Sequence, residues 1–194
     1  MKKIIALLIF GWVQFTYSNL LAVSTDYSKI DQHARQAPAK LKNNLPKLTS
    51  YLIKPAKNDS ERVRSFYVWI SENIAYDVQL FRNYNPSRYK QSSPAEVLQR
   101  GKAVCQSYAE LFQEMCRLAN ISSHVVPGYS KGFNYTPKSK FTNADHAWNV
   151  VKLDGKWHLV DVAWGSGGLD NKMKNSKLFN EEYFLTSPED FVVN

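Results

Sequence analysis

Three residues of the sequence, Cys105, His146 and Asp161, are of the types that together perform acyl transfer: a thiol, a base, and an acid that orients the base. Cys105 opens a stretch in which Tyr108, Ala109, Phe112, Met115 and Cys116 recur at three- and four-residue spacing, predicting an amphipathic helix that ends near Asn120. The thiol then sits on the first helical turn. Unpaired backbone N–H groups and the positive end of the helix dipole favour a thiolate there, so Cys105 reads as a nucleophile.

The base and its orienter come from HAWNVVKLDGKWHLVDVAW, residues 146–164, in which two strands flank Asp154-Gly155, a dipeptide suited to a two-residue type I′ turn. That turn pairs Leu153 with Lys156, Lys152 with Trp157, Val150 with Leu159, Trp148 with Asp161 and His146 with Ala163. Alternation then places His146, Trp148, Val150, Leu159 and Asp161 on one sheet face, with Asp161 the diagonal neighbour of His146 at roughly 7 to 8 Å between Cα atoms. An imidazole and a carboxylate can meet across that gap. The register does not say which sheet face the cysteine helix covers. His158 falls on the opposite face with Asn149 and Val160 and reads as structural, as does His124 in a strand expected from Ser123 to Tyr129. Zinc is disfavoured because the sequence holds no CxxC pair and no HExxH, and a serine triad because it holds no G-x-S-x-G.

The elements that must position these groups follow from the rest of the pattern. Residues 26–53 look helical but are interrupted by Pro38 and Pro46, predicting two or three short helices. A linker over residues 54–58 leads to a helix capped by Asp59 or Ser60, with Val63, Phe66, Tyr67, Ile70 and Ile74 on one face. Residues 77–93 read as a long loop placed to border a cleft, with Tyr84 and Tyr89 contacting substrate or, in preference, covering core edges. Pro94 opens a short helix, Ala95 to Gln99, that hands over to Gly101 and the cysteine helix. Residues 131–143 form a basic, aperiodic loop.

With 194 residues, 44% of them hydrophobic, the chain suits one domain. Lys2 and Lys3 precede an apolar run from Ile4 to Phe15, the layout of a secretory signal peptide, with cleavage expected after Ser18 in preference to Ser24. Residues 19–194 are then a single exported domain: a helical segment over 19–58 and a catalytic core over 59–194. Without the two leading lysines the formal charge falls from +8 to +6, which favours anionic surfaces such as phospholipid head groups or cell-wall polymers. No nucleic-acid motif accompanies it. Cys105 and Cys116, about 16 Å apart along one helix, are too distant for a disulfide, so both thiols are expected free, Cys105 for use and Cys116 in the core.

VCQSYAELF around Cys105, DHAWNVVKLDGKWHLVDVAWG through His146 and Asp161, and the upstream WISENIAYD occur in one order with YFLTSPEDF near the end. From about Ile30 onward the sequence resembles the transglutaminase-like superfamily, in particular its bacterial branch related to the kyphoscoliosis peptidase. The resemblance implies a papain-like α+β fold, with N-terminal helices and a central cysteine helix packed on an antiparallel sheet. It also implies a Cys105-His146-Asp161 triad acting on amides through an acyl-enzyme, with no cofactor or metal. Members of this branch commonly continue past the position of Asn194, which implies either an abbreviated C-terminal part of the sheet or a chain that is a fragment. Hydrolysis of a protein or peptide substrate, a cell-wall peptide among them, is favoured over cross-linking to an amine, since water is the abundant acceptor. A binding module that keeps the fold without catalysis is the third reading. The Cys105 N–H is the natural oxyanion donor; Tyr76 and Trp148 are weaker side-chain candidates, each expected in the core.

Overall fold

The structure, a computed structural model, describes residues 25–193 apart from 86, 88–89, 133–134, 139, 141 and 170–173. The expected signal segment, 1–18, and Tyr89 lie outside the described residues.

The N-terminal segment is helical, as the pattern predicts: α1 (Ser28–Arg35), a 3-10 turn (Ala39–Asn43) and α2 (Leu45–Leu52). Pro46 does not interrupt a helix here. It stands in the first turn of α2, where a missing N–H costs nothing, and Asn44 caps that turn by accepting from Lys47 N at 2.9 Å. The next helix, α3 (Asp59–Asn73), is capped one residue earlier than expected, by Asn58, whose side chain accepts from Glu61 N at 2.9 Å.

A two-residue strand, β1 (Ala75–Tyr76), follows. The expected long loop then begins with a helical turn, α4 (Val78–Arg82), because Asp77 caps it through Leu80 N at 3.1 Å. Tyr84 covers no core edge; it is 57% exposed. Ser93 and Glu96 form a capping box for α5 (Pro94–Arg100), which closes on Gly101 at φ +63°, a conformation natural to glycine. β2 (Lys102–Ala103) runs parallel to β1, and α6 (Cys105–Leu118) starts one residue beyond Val104. Its expected apolar positions, Tyr108, Ala109, Phe112, Met115 and Cys116, are all buried, joined by Leu111.

Four strands, β3 (Ser123–Gly128), β4 (His146–Leu153), β5 (Lys156–Val160) and β8 (Phe184–Thr186), form an antiparallel sheet in the order β3-β4-β5-β8. Between β5 and β8 come α7 (Val162–Gly165) and a small antiparallel pair, β6 (Gly167–Leu169) and β7 (Asn175–Lys177); α8 (Pro188–Val193) follows β8. Asp154 and Gly155 both adopt positive φ, 49° and 79°, as a type I′ turn requires. The β4–β5 register runs as predicted from Leu153–Lys156 to Asn149–Val160 and stops there. Trp148–Asp161 and His146–Ala163 do not pair, because Asp161 leaves the strand to cap α7.

The architecture is α+β, with α6 lying across the sheet. It covers the face of Ala147, Asn149, Val151 and Val160, and Asn149 Nδ2 donates to Ala109 O at 3.0 Å. His146, Trp148 and Val150 alternate to the other face. Helix α3 carries apolar residues on more than one face: besides Val63, Phe66, Tyr67 and Ile70, it buries Arg64, Ser65, Val68, Trp69 and Ser71, because α1, α2, α6 and α7 pack around it. Burying each large apolar side chain of α3 and α6 contributes about 1.5–3 kcal/mol.

Candidate active site

Cys105 is the first residue of α6 and is half-buried. No side chain caps this helix and no acid stands in its first turn, so the leading N–H groups point outward with their partial positive charge unanswered by the helix itself. Tyr108, one turn on, pins the helix by donating from its hydroxyl to Ile74 O at 2.6 Å.

His146 opens β4 directly after Asp145, whose N–H donates to Gly128 O at 2.9 Å. Its Nε2 lies 2.5 Å from Oδ2 of Asp161. Asp161 is fully buried; its Oδ1 accepts from Trp164 N at 2.9 Å and its own N–H donates to Tyr183 O at 3.0 Å. One carboxylate therefore caps a helix and holds an imidazole, which fixes its direction. Trp164 stacks on the His146 ring at 4.8 Å between centroids. Cys105 acts on the same ring, raising its hold on the proton. With Nε2 taken by Asp161, the nitrogen left to the sulfur is Nδ1.

Burial alone would push the His146 imidazolium below its ordinary value of 6.5; the Asp161 charge and hydrogen bond, and then Cys105, outweigh it and raise the group to about 10. The ring then keeps its proton at neutral pH, with Nε2–H donated to the carboxylate. Such a ring stabilises a thiolate beside it and holds the proton that an amine leaving group needs.

The structure thus brings Cys105, His146 and Asp161 together, but not through the sheet face. The helix carrying the thiol covers the opposite face, and the three groups meet at the end of the sheet, where β4 begins and β5 gives way to α7. Tyr76 adjoins them: β1 pairs it with Ala103, two residues before Cys105. Burial, followed by the charge of Cys105, pushes its hydroxyl far up, so it stays a proton donor. Trp148 Nε1 is buried without a partner among the described residues, but the residue is only half-buried and its ring lies 5.3 Å from Phe191 on the sheet face away from α6, outside the expected core. His124, exposed against Trp157, borders a cavity of about 460 Å³ at the far end of α6, and His158 sits opposite Val151; neither approaches the thiol. Sequence reasoning missed Trp164 and Tyr183 as supports of the pair, although Trp164 lies within the hairpin stretch itself. Among the described residues no three or more His, Cys, Asp or Glu side chains are placed to hold a metal ion.

An α+β domain with a helix-start thiol packed on an antiparallel sheet has a papain-like, transglutaminase-like architecture. The chain is a member of the transglutaminase-like superfamily, whose family model matches residues 46–162. It is 43% identical over 180 residues to the kyphoscoliosis peptidase of Homo sapiens, covering 90% of this chain and 26% of that protein. With the mouse (Mus musculus) protein of the same name it shares 43% over 168 residues, covering 86% and 25%. The chain thus spans about a quarter of the length of these relatives. A crystal structure of a TGase superposes with a TM-score of 0.48 at 18% identity, over 87% of this chain and 40% of that one. Among the described residues no helix is long and apolar enough to cross a membrane.

Proposed function

We propose that this protein is an exported thiol enzyme that cleaves peptide amides through an acyl-enzyme, acting as a cysteine peptidase or amidase. The observation that carries the reading is the His146 ring hydrogen-bonded to Asp161, with Cys105, the first residue of α6, acting on that same ring. The Cys105 thiolate attacks the amide carbonyl, forming a C–S bond, and the oxyanion turns to the Cys105 N–H and the Tyr76 hydroxyl. His146 passes its proton to the amide nitrogen, the C–N bond breaks, and the amine departs. Water then adds to the thioester carbonyl while His146 takes its proton; the C–S bond breaks, releasing the acid and restoring thiolate and imidazolium. Asp161 holds the ring in place throughout. The peptidase in the relatives' name supports the reaction class, and the basic-then-apolar start at Lys2, Lys3 and Ile4 to Phe15 supports export.

The test is thiol reactivity joined to turnover. At about pH 6, iodoacetamide should alkylate Cys105 at least tenfold faster than a simple thiol of pKa ~8.5, with buried Cys116 inert, since burial pushes its thiol far up. Cys105→Ala should abolish cleavage of a peptide amide pool. Alkylation no faster than that of a simple thiol, with cleavage intact in Cys105→Ala, would refute the reading. A labelled amine included in the assay should be incorporated more slowly than water. Fractionation of expressing cells should place a chain lacking residues 1–18 outside the cytoplasm.

A further inference from the structure

Two hydrogen bonds converge on the Tyr108 hydroxyl, and both lead back to the site. Tyr108 is fully buried on α6, three residues and so about one helical turn after Cys105. Its hydroxyl donates to Ile74 O at 2.6 Å, and Ile74, which closes α3, stands two residues before Tyr76. The hydroxyl oxygen in turn accepts from Ser166 Oγ at 3.3 Å, a proton that Ser166 shares with Ala163 O at 2.7 Å. Ser166 is buried and closes α7, the helix that Asp161 caps at its other end.

Ile74 O is itself held from a second side. Lys177, on β7, donates from Nζ to Ile74 O and to Ser71 O, setting an ammonium on the last carbonyls of α3, where the helix dipole is negative. One residue on, Ala75 N donates to Gly101 O at 2.9 Å as β1 pairs with β2. The carbonyl therefore does not follow the tyrosine. The tyrosine, and α6 with it, is registered against the carbonyl. Packing alone does not call for this hydroxyl, since a plain phenyl ring would fill the same space, and a buried hydroxyl costs free energy unless its bonds are made. What the hydroxyl adds is a fixed relation between three elements. It joins those that carry Cys105, Tyr76 and Asp161, at points within five residues of each.

We propose that the Tyr108 hydroxyl is a positioning group for amide cleavage: it sets the Cys105 thiol relative to the Tyr76 hydroxyl, which receives the oxyanion, and to Asp161, which holds His146. The inference rests on the reading of the site as an amide-cleaving centre and adds the group that keeps its parts in register. Tyr108 meets no substrate and acts only through the placement of the other three. Such placement is worth far more to rate than to stability. A shift of about 1 Å between reacting groups costs up to about 10²-fold in turnover, whereas losing one neutral hydrogen bond destabilises a fold only modestly.

The test is Tyr108→Phe, which keeps the ring and removes both bonds, while Lys177 still satisfies Ile74 O. Cleavage of a peptide amide should fall about tenfold or more in kcat with KM within about twofold of the native value. Iodoacetamide alkylation of Cys105 at about pH 6 should slow about threefold or more, because the thiol is no longer set against the imidazolium. A purely stabilising hydroxyl would lower the urea midpoint and leave both rates of the folded protein in place. Native kcat and native alkylation in Tyr108→Phe therefore overturn the inference while leaving the amide-cleaving reading intact. A native chain that is alkylated rapidly but cleaves no amide refutes that reading, and the alkylation rate of Tyr108→Phe then decides the positioning role by itself. Should Tyr108→Phe fail to fold, Ser166→Ala removes the tie to α7 alone. It should lower kcat and the alkylation rate about threefold, and unchanged values overturn the inference.

Discussion

His146 carries the largest electrostatic consequence of any single side chain in the site. Its raised value depends on Asp161 opposing the burial that would otherwise strip the ring of its proton. Replacing Asp161 by Asn keeps an oxygen to cap α7 at Trp164 N and removes the charge. Asp161→Asn should therefore fold, lower turnover by about 10²–10⁴-fold, and move the alkaline limb of kcat/KM downward from near 10. A pH–rate profile that stays in place would remove Asp161 from the mechanism. Stability has its own sign. A group whose folded value is raised stabilises the fold fully below its unfolded value of 6.5, and that contribution is lost as pH rises through about 10. Residue types and turn chemistry made the His146–Asp161 partnership legible as a diagonal pair on one sheet face; the contact itself forms at the strand's end, because Asp161 leaves β5 to cap α7. Tyr76 was named there only as a weak donor: its approach to Cys105 depends on pairing between two strands of two residues, too short to leave a period.

At the scale of elements, the meeting of thiol and imidazole is set by where β5 stops. Asp161 ends the strand and begins α7, whose last residue, Gly165, lies so close to α3 that a Cβ there would stand 2.1 Å from the Tyr67 hydroxyl. That ring has little room to yield, since Phe179 and Phe184 flank it at 5.6 and 5.1 Å and its hydroxyl donates to Asn180 O. Gly165→Ala should cost about 1–3 kcal/mol in stability and, by displacing α7 and with it Asp161, reduce kcat more than it raises KM. Urea unfolding with parallel kinetics checks both, and an unaltered unfolding midpoint would contradict the packing. The 3.6-residue period made α3 and α6 legible. It understated α3, because a helix covered by several neighbours also buries positions that the period assigns to solvent. The cysteine helix was legible as an element, whereas its seat on the sheet was not: hairpin register says which residues share a face, but not which face a distant helix covers.

Across the whole molecule, one buried cation joins parts of the chain that local patterns leave unrelated. Arg64, on α3, is 2% exposed; it donates to both oxygens of Asp31 on α1, at 2.7 and 2.6 Å, and to Glu181 beyond the catalytic segments. Tyr27, Phe179 and Phe184 surround its guanidinium at 5.2, 5.3 and 4.9 Å. Arg64→Ala leaves Asp31 buried without its partner and should cost about 3–5 kcal/mol, read as a lower urea midpoint. A loss under about 1 kcal/mol would mean that the ion pair behaves like a surface one. The clamp was invisible beforehand, since nothing in the spacing of Arg64, Asp31 and Glu181 marks them as neighbours. It also bears on the order in which the chain is made. Arg64 and Asp31 are synthesised early and Glu181 comes 117 residues after Arg64. A growing polypeptide therefore gains Glu181, Phe179 and Phe184 only near the end, and until then Arg64 has Asp31 and Tyr27 alone. The contact between Arg64 and Glu181 can form only once nearly the whole chain is made, and a pairing of that sequence separation is slow to close.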